Sequence, residues 1–409
     1  MTVPSFVYGI ITIIIVVFLI IACMHFSAQS AAEATILHYT DGETKLVNQH
    51  PTLQDAYANF RGDLDPWGER PLSHGEALVM YGHIPKTCAY WGITGYLYKW
   101  DGHLMHASLG DPVSSASIAS HSGMDGVAVV LTYNVHMFNE VHNSLTQEWN
   151  ATSRKHLLHV YPMYIPHKMY LPGATYTLQS KVLMHRPGDP IPQFKCRIYT
   201  SPNITQKAPF FNCNSYKDRS HAPKEHDVID EVVWHASADD ILAKQGYVPL
   251  REIPVRTFLD DEIRDGLNHG ADAMDKRLYC HADNRDITRF MTPDFTVAPD
   301  ESIAVISIDH AMSKRGQYSS VTFYNALEEL GKKLGDPIYA TYTTGDALVR
   351  KHNQHSTLKA QVTVNNPPPH IQKVRCVEHI YVEPTSDIGP GPDSVLPMRV
   401  FIIKRVELH

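Results

Sequence analysis

The sequence predicts a mainly β protein, with an N-terminal transmembrane helix followed by two tandem β-sandwich, jelly-roll-like domains that are related by duplication. Three observations support this prediction: an uncharged apolar run at the start of the chain, many short strand-like segments with few helical ones, and a three-part pattern that occurs twice. We expect an anchor at 1–29, a juxtamembrane segment at 30–69, sandwich domains at 70–205 and 246–409, and a linker at 206–245.

The apolar run Phe6–Cys23 precedes the first charged side chain of the chain, Glu33. About 18 residues at ~1.5 Å each nearly match the ~30 Å hydrocarbon core of a bilayer. Because the run is long and no basic residue precedes it, an uncleaved single-pass anchor is favoured over a cleaved signal peptide or a lipidated Cys23. The predicted span includes Phe6, Ile13, Val17 and Ile21.

The sequence leaves the topology of the remaining chain open. No Lys or Arg lies close to either end of the apolar run, so the positive-inside rule gives no orientation. Two sequons make Asn150 and Asn203 candidate glycosylation sites. They are meaningful only if the domains face the lumen or the cell exterior.

The composition indicates a globular protein that does not bind nucleic acid. Hydrophobic residues make up 43% of the chain and charged residues 19%, with a net charge of −7. No basic stripe offsets this charge, so phosphate-backbone binding is not expected. The expected partners are the lipid bilayer and other proteins, contacted through sheet edges or sandwich faces. The 25 histidines are either ordinary polar residues or a pH-responsive surface.

A three-part pattern indicates the duplication. It consists of an acidic residue and an apolar run that ends near a histidine, a Tyr-rich alternating segment with a Thr, and a Leu-Gly-Asp-Pro turn. The copies contain His83, Tyr90, Thr94, Tyr96, Gly110, Asp111 and Pro112, and then His310, Tyr318, Thr322, Tyr324, Gly335, Asp336 and Pro337. We expect the repeated histidine to bond a turn carbonyl, and the repeated glycine to adopt a positive φ.

Period-two alternation predicts strands, and 3.6-residue periodicity predicts a few short helices. The predicted strands include 76–81, 90–98, 126–133, 158–162, 175–185, 247–255, 338–343, 377–382 and 395–406. The predicted helices are 53–60, 137–148, 238–244 and 326–333. In the strand 90–98, Tyr90 and Tyr96 face one side and Trp91 and Ile93 face the other.

No recognisable catalytic, nucleotide or dinucleotide motif occurs, so we expect neither a cofactor nor an enzymatic activity. Two hypotheses about chemistry stay open. A helix over 225–235 would bring together potential metal ligands, namely His226, Asp230, Glu231 and His235. Asp309 and His310 would belong to a hydrolytic triad if Ser313 or Ser319 were the nucleophile.

The aromatic residues of the first hairpin offer a further hypothesis. Aromatic rings stack on sugar rings, and they also pack in sheet cores. The residues concerned are Tyr90, Trp91, Tyr96, Tyr98 and Trp100. A glycan-binding module therefore stands beside simple core packing as an interpretation of these residues.

Segments 85–98 (PKTCAYWGITGYLY), 107–111 (ASLGD), 308–311 (IDHA) and 316–321 (GQYSSV) resemble membrane-anchored β-rich proteins of large icosahedral DNA viruses and related bacterial secreted proteins. The resemblance implies no chemistry. It implies a virion membrane or minor capsid protein whose domains face the capsid side of an internal membrane.

The predicted function follows from the anchor, the domains and this resemblance. It is a membrane-anchored structural or interaction protein that tethers a shell to a membrane. The alternative is a membrane-anchored glycan-binding or hydrolytic protein with a histidine-rich surface.

Overall fold

The computed structural model of the protein is mainly β. It describes residues 37–48, 55–61, 69–86, 88–118, 124–152, 157–184, 191–192, 194–209, 214, 224–227, 229, 231–257, 285–310, 313–316, 318–326, 339–344, 360–367, 371, 373–381 and 388–406. The predicted anchor Phe6–Cys23 lies outside these ranges. Among the helices within them, none has the length and apolarity needed to cross a membrane.

The strands form two groups, which we call the first and second lobes. The first lobe contains β1 (His38–Asn48), β2 (Asp55–Arg61), β3 (Glu76–His83), β4 (Cys88–Trp100), β5 (His103–Ser108), β6 (Val113–Ser114), α1 (Ser115–Ile118), β7 (Met124–Thr132), α2 (Val135–Thr152), β8 (Leu157–Tyr164), β9 (Thr175–Met184) and β10 (Lys195–Thr200). A 3₁₀ turn at His167–Met169 separates β8 from β9.

The second lobe begins with a helix and ends at the last described strand. It contains α3 (Glu231–Lys244), β11 (Tyr247–Ile253), β12 (Arg256–Thr257), β13 (Ile287–Met291), β14 (Ser302–Ile308), β15 (Tyr318–Ala326), β16 (Tyr339–Thr344), β17 (Ala360–Asn365), β18 (Val374–Tyr381) and β19 (Arg399–Arg405). Further 3₁₀ turns lie at Glu225–Asp227 and Pro392–Ser394.

The first lobe has the strand order β5-β4-β9-β2-β1-β10-β3-β7-β8, with β6 beside β4. The long strand β1 bends from one layer into the other, since His38–Gly42 pairs with β10 and Glu43–Asn48 pairs with β2. Side chains from both layers meet in one apolar core, as Leu78, Trp91 and Leu178 show. The first lobe therefore consists of two layers that share a core.

Strand β3 has a continuous apolar sequence because both of its faces are buried. Leu78 and Met80 point into the core between the layers. Val79 lies on the other face, beneath α2, where it packs in one cluster with Val141 and Leu145 of the helix. The spacing of these helical residues gives α2 the single apolar stripe that covers the sheet.

The second lobe has two sheets, of order β11-β19-β14-β17 and β12-β13-β18-β15-β16. Val305 of β14 and Phe323 of β15 meet in the core between them. Helix α3 covers the outer face of the first of these sheets, where Trp234 and Leu242 pack against Ile306. Each lobe thus carries one helix on the outer face of one sheet.

Several sequence predictions require correction. The predicted helix 53–60 is the strand β2, because backbone hydrogen bonds from β1 and β9 on its two sides outweigh its local propensity. The segment 30–69 contributes β1 and β2 to the first lobe, and the segment 206–245 contains α3, which packs on the second. The predicted helix 326–333 lies outside the described residues, apart from Ala326, which ends β15.

Candidate functional site

A buried charge cluster surrounds His310, directly after β14. His310 Nδ1 lies 2.8 Å from Glu225 Oε1, and His310 Nε2 lies 3.5 Å from Glu378 Oε1, with all three side chains fully inaccessible. Ser313 Oγ donates to Glu225 Oε1 at 2.5 Å. We call Glu225, His310, Ser313 and Glu378 the His310 cluster.

A backbone amide donates to the second oxygen of each carboxylate. The amide of Leu396 donates to Glu225 Oε2 at 2.7 Å, and the amide of Met398 donates to Glu378 Oε2 at 3.1 Å. The His310 cluster therefore joins the 3₁₀ turn before α3, the end of β14, the strand β18 and the approach to β19.

The carboxylates determine the charge of the imidazole. Burial by itself lowers the pKa of His310, but Glu225 and Glu378 on either side raise this pKa to about 10. Burial likewise opposes the charged form of Glu225, yet His310 and the donors Ser313 and Leu396 hold the pKa of Glu225 below its ordinary value. The cluster is thus a buried ion-pair network.

This geometry does not support the predicted hydrolytic triad. The carboxylates on the two ring nitrogens of His310 are Glu225 and Glu378 rather than the predicted Asp309. Ser313 directs its hydroxyl hydrogen to Glu225 rather than to the imidazole. The His310 cluster is fully buried and contacts four separate chain segments, so it is suited to holding these segments together.

The repeated histidines do not bond a turn carbonyl as expected. His310 is buried between carboxylates, whereas the side chain of His83 is 68% exposed and its Nδ1 lies 3.1 Å from Asp125 Oδ2. The two positions share only a carboxylate partner. The two histidines occupy the same place in the repeated sequence pattern, but they do not have the same structural environment.

A second polar cluster joins the two lobes. Lys181 on β9 forms a buried ion pair with Asp286, which precedes β13, and Lys181 Nζ also donates to Tyr96 Oη at 3.2 Å. Tyr90 Oη donates to Asp286 Oδ2 at 3.2 Å. Arg285 Nε donates to Asp111 Oδ1 at 2.8 Å, and this pair is also buried. We call Tyr90, Tyr96, Asp111, Lys181, Arg285 and Asp286 the inter-lobe cluster.

Apolar contacts surround these charges. Tyr90 and Leu183 of the first lobe pack with Ile287 and Tyr381 of the second. A charge pair enclosed in this way permits few alternative arrangements, because any shift leaves a charge unpaired in an apolar setting. The inter-lobe cluster therefore defines one relative placement of the two lobes.

The Leu-Gly-Asp-Pro turn of the first copy has a role that its sequence did not indicate. Asp111 reaches the second lobe, and Pro112 is buried beside it. A Cβ at Gly110 would lie 2.5 Å from the Cβ of Asn214, so glycine is required here for close approach. Gly110 does not have the expected positive φ, which among the described glycines occurs at Gly102, Gly173 and Gly246.

Other residues of the repeated pattern lie on matching strands. Thr94 of β4 and Thr322 of β15 are both buried, and Tyr324 of β15 is partly buried. Tyr318 begins β15. The turn of the second copy (Gly335, Asp336 and Pro337) lies outside the described residues.

Of the four candidate metal ligands, only His226 has a described side chain. His226 is exposed on the 3₁₀ turn before α3, and Asp230 lies outside the described residues. Glu231 and His235 belong to α3, but their side chains are not among those described. The described residues contain no set of three His, Cys, Asp or Glu side chains able to hold a metal ion.

Three of the five aromatic residues of the first hairpin are too deeply buried to stack on a glycan, whereas Tyr98 and Trp100 are half-buried. Tyr90, Trp91 and Tyr96 are at most 2% exposed, since Trp91 fills the core of the first lobe and the two tyrosines face the second.

The sequon asparagines Asn150, at the end of α2, and Asn203, after β10, are both exposed. Of the cysteines, Cys196 is a buried free thiol.

Comparison with known proteins gives no family for this chain: neither a protein-family model nor a curated protein matches it. The function is therefore inferred from the topology and the buried contacts. The sequence analysis identified His310, Tyr90, Tyr96 and Asp111 as residues of interest. It did not identify the charged side chains that bind them. Those partners lie far away in sequence, as in the pair of Asp111 and Arg285, which are 174 residues apart.

Proposed function

We propose that the protein is a membrane-anchored structural protein of two tandem jelly rolls, a virion membrane or minor capsid component that tethers a shell to a membrane. One observation carries the proposal: the strands of the two lobes follow the same order in space. Jelly rolls of eight strands in two sheets are characteristic of viral capsid proteins, and they also occur in lectins and cupins.

The strand correspondence can be followed sheet by sheet. In the first lobe, one layer has the order β1-β10-β3-β7, and the other contains the order β2-β9-β4-β5. In the second lobe, the corresponding layers have the orders β11-β19-β14-β17 and β13-β18-β15-β16. Taken in chain order, the eight strands of one lobe match the eight of the other one to one. This identity, with the repeated pattern on β3–β4 and β14–β15, supports a tandem duplication.

The helices distinguish the two lobes. Helix α2 is inserted between β7 and the parallel strand β8, whereas α3 precedes β11. They nevertheless cover the outer faces of matching sheets. Packing explains this similarity, since each sheet has an apolar outer face that must be covered.

Two further features favour a structural role for these jelly rolls over an enzymatic or ligand-binding role. Side chains such as Trp91 and Phe323 fill the core between the sheets of each lobe. The conspicuous buried charges of the described residues are paired with each other, and they fasten chain segments or lobes. A rigid pair of lobes beside a membrane anchor is suited to a structural component that contacts other proteins through its outer surfaces.

Membrane fractionation of the full chain tests the tethering part of the proposal. We expect the full chain to stay with membranes after alkaline carbonate and high salt, because an apolar span of this length is not extracted by either. Removal of residues 1–29 should release a folded protein into the soluble fraction. Extraction of the full chain by carbonate, or membrane retention of the truncated chain, would contradict the proposal.

A further inference from the structure

A groove opens on the first lobe between the C-terminal half of α2 and the strands β3, β8 and β10. Its volume is about 350 Å³, and its lining includes Tyr81, His83, Glu148, Trp149, Thr152 and Lys195. This volume lies at the lower end of the range of small-molecule sites, about 300–1,000 Å³. The groove is separate from both the His310 cluster and the inter-lobe cluster.

An aromatic platform forms one wall of the groove. The indole ring of Trp149 rests on Gly126 of β7, where a Cβ would lie 2.4 Å from the ring. The ring of His83 lies 5.0 Å from that of Trp149, centroid to centroid. Because glycine beneath and histidine beside it restrict its movement, the indole is held in place before any ligand arrives.

The charges around the groove compensate each other. Both oxygens of Glu148 accept from Arg197, at 2.5 and 2.9 Å, and Asp41 accepts from Arg197 Nε at 2.6 Å. Asp125 pairs with His83 and with Lys86. Lys195, whose charge also acts on Glu148, brings the cations to three against three carboxylates. The groove therefore has no net excess of either sign to select a strongly charged ligand.

Polar groups remain at the rim. The side chain of Glu148 is 43% exposed, so its carboxylate retains acceptor capacity on the side away from Arg197. Lys195 is exposed and supplies an ammonium donor. Thr152 Oγ1 donates to the carbonyls of Glu148 and Trp149, which leaves its lone pairs as acceptors.

We propose that this groove binds one neutral pyranose unit of a glycan. The apolar C–H face of the sugar ring packs on the indole of Trp149. Its hydroxyl groups donate to Glu148 and accept from Lys195, which are charge-assisted hydrogen bonds. A ligand with one apolar face and several neutral hydroxyl groups matches a site that has a fixed aromatic ring and balanced charges. This inference is independent of the proposed tethering role.

Saturation-transfer difference NMR on the full chain in phospholipid nanodiscs tests the proposal without sugar-based detergent. The probes are the methyl glycosides of glucose, galactose and mannose, N-acetylglucosamine, and N-acetylneuraminic acid as an anionic comparison. We expect saturation transfer to the C–H face of at least one neutral sugar and none to the anionic one. Transfer to no neutral sugar, or preferential transfer to the anionic sugar, would overturn the proposal.

Variants locate the binding. Trp149→Ala should weaken binding about tenfold, while Trp149→Phe, which keeps an aromatic face, should retain most of it. Trp100→Ala is the matched control, because Trp100 lies on β4 and does not line the groove. If Trp149→Ala unfolds, Lys195→Gln at an exposed position gives the comparison and should weaken binding by about threefold. Unchanged binding in a folded Trp149→Ala or in Lys195→Gln would overturn the assignment.

Discussion

His310 illustrates how a buried imidazole comes to be charged at neutral pH. Its own burial favours the neutral ring, but a carboxylate at each nitrogen reverses this preference. The two positions of the repeated histidine therefore differ in energetic importance, since His83 is largely exposed. This difference provides a matched pair of substitutions.

We predict that His310→Ala lowers the free energy of unfolding by about 3–5 kcal/mol, because it leaves Glu225 and Glu378 buried without their cation. The control is His83→Ala, which should change stability little because water replaces the lost contact with Asp125. Urea denaturation of both variants measures the difference. Equal losses in the two variants would show that the His310 cluster is not a stabilising ion-pair network.

The pH dependence of stability follows from the same site. The pKa of His310 is about 10 in the folded protein, against 6.5 for an ordinary histidine, so folding favours the protonated form. Its contribution is fully present below about pH 6.5 and is lost as the pH rises toward 10. We predict a decline in unfolding free energy across this interval that is smaller in His310→Gln. Parallel pH profiles for the two proteins would contradict the assigned charge.

Individual strands differ in how well the sequence predicts them. Strands β3 and β4 were predictable from the sequence. Burial on both faces gives β3 a continuous apolar run, and alternation of the two faces gives β4 a period of two. Strand β1 reads HYTDGETKLVN and has no such pattern. It forms because β10 and β2 supply hydrogen-bonding partners along its two halves. Pairing between distant strands is therefore the information that local periodicity lacked.

At the start of α2, Asn134 acts as an N-cap. Its Oδ1 accepts from the amide of His136 at 2.9 Å, and its Nδ2 donates to the carbonyl of Gln206 at 2.8 Å. We predict that Asn134→Ala costs about 1–2 kcal/mol, since the cap and a buried hydrogen bond are both lost. Asn143→Ala, at an exposed position within the same helix, is the control and should be close to neutral. Thermal denaturation followed by circular dichroism measures both; equal effects would exclude a capping role.

On the scale of the whole molecule, buried charges connect the two lobes. Lys181 and Asp286 lie 105 residues apart in the sequence, and each is almost completely inaccessible. Sequence reasoning assigned Tyr90 and Tyr96 to one strand face correctly, but it could not identify the second lobe as what covers that face. Contacts between lobes depend on how two folded units meet, which no local pattern records.

We predict that Lys181→Met destabilises the protein by about 3–5 kcal/mol, because Asp286 is left buried and unpaired. Adding Asp286→Leu should restore much of this loss, since both charges are then replaced by apolar groups. A double-mutant cycle from urea denaturation measures the coupling. Strictly additive losses would contradict a direct ion pair between the lobes.

The most direct test of the central claim is cryo-electron tomography of lipid vesicles that carry the full chain. The proposal of an anchored protein with two tandem jelly rolls predicts two-lobed particles attached to the membrane surface, each with its lobes in one fixed arrangement. Vesicles without attached particles, or particles whose lobes take variable arrangements, would contradict it.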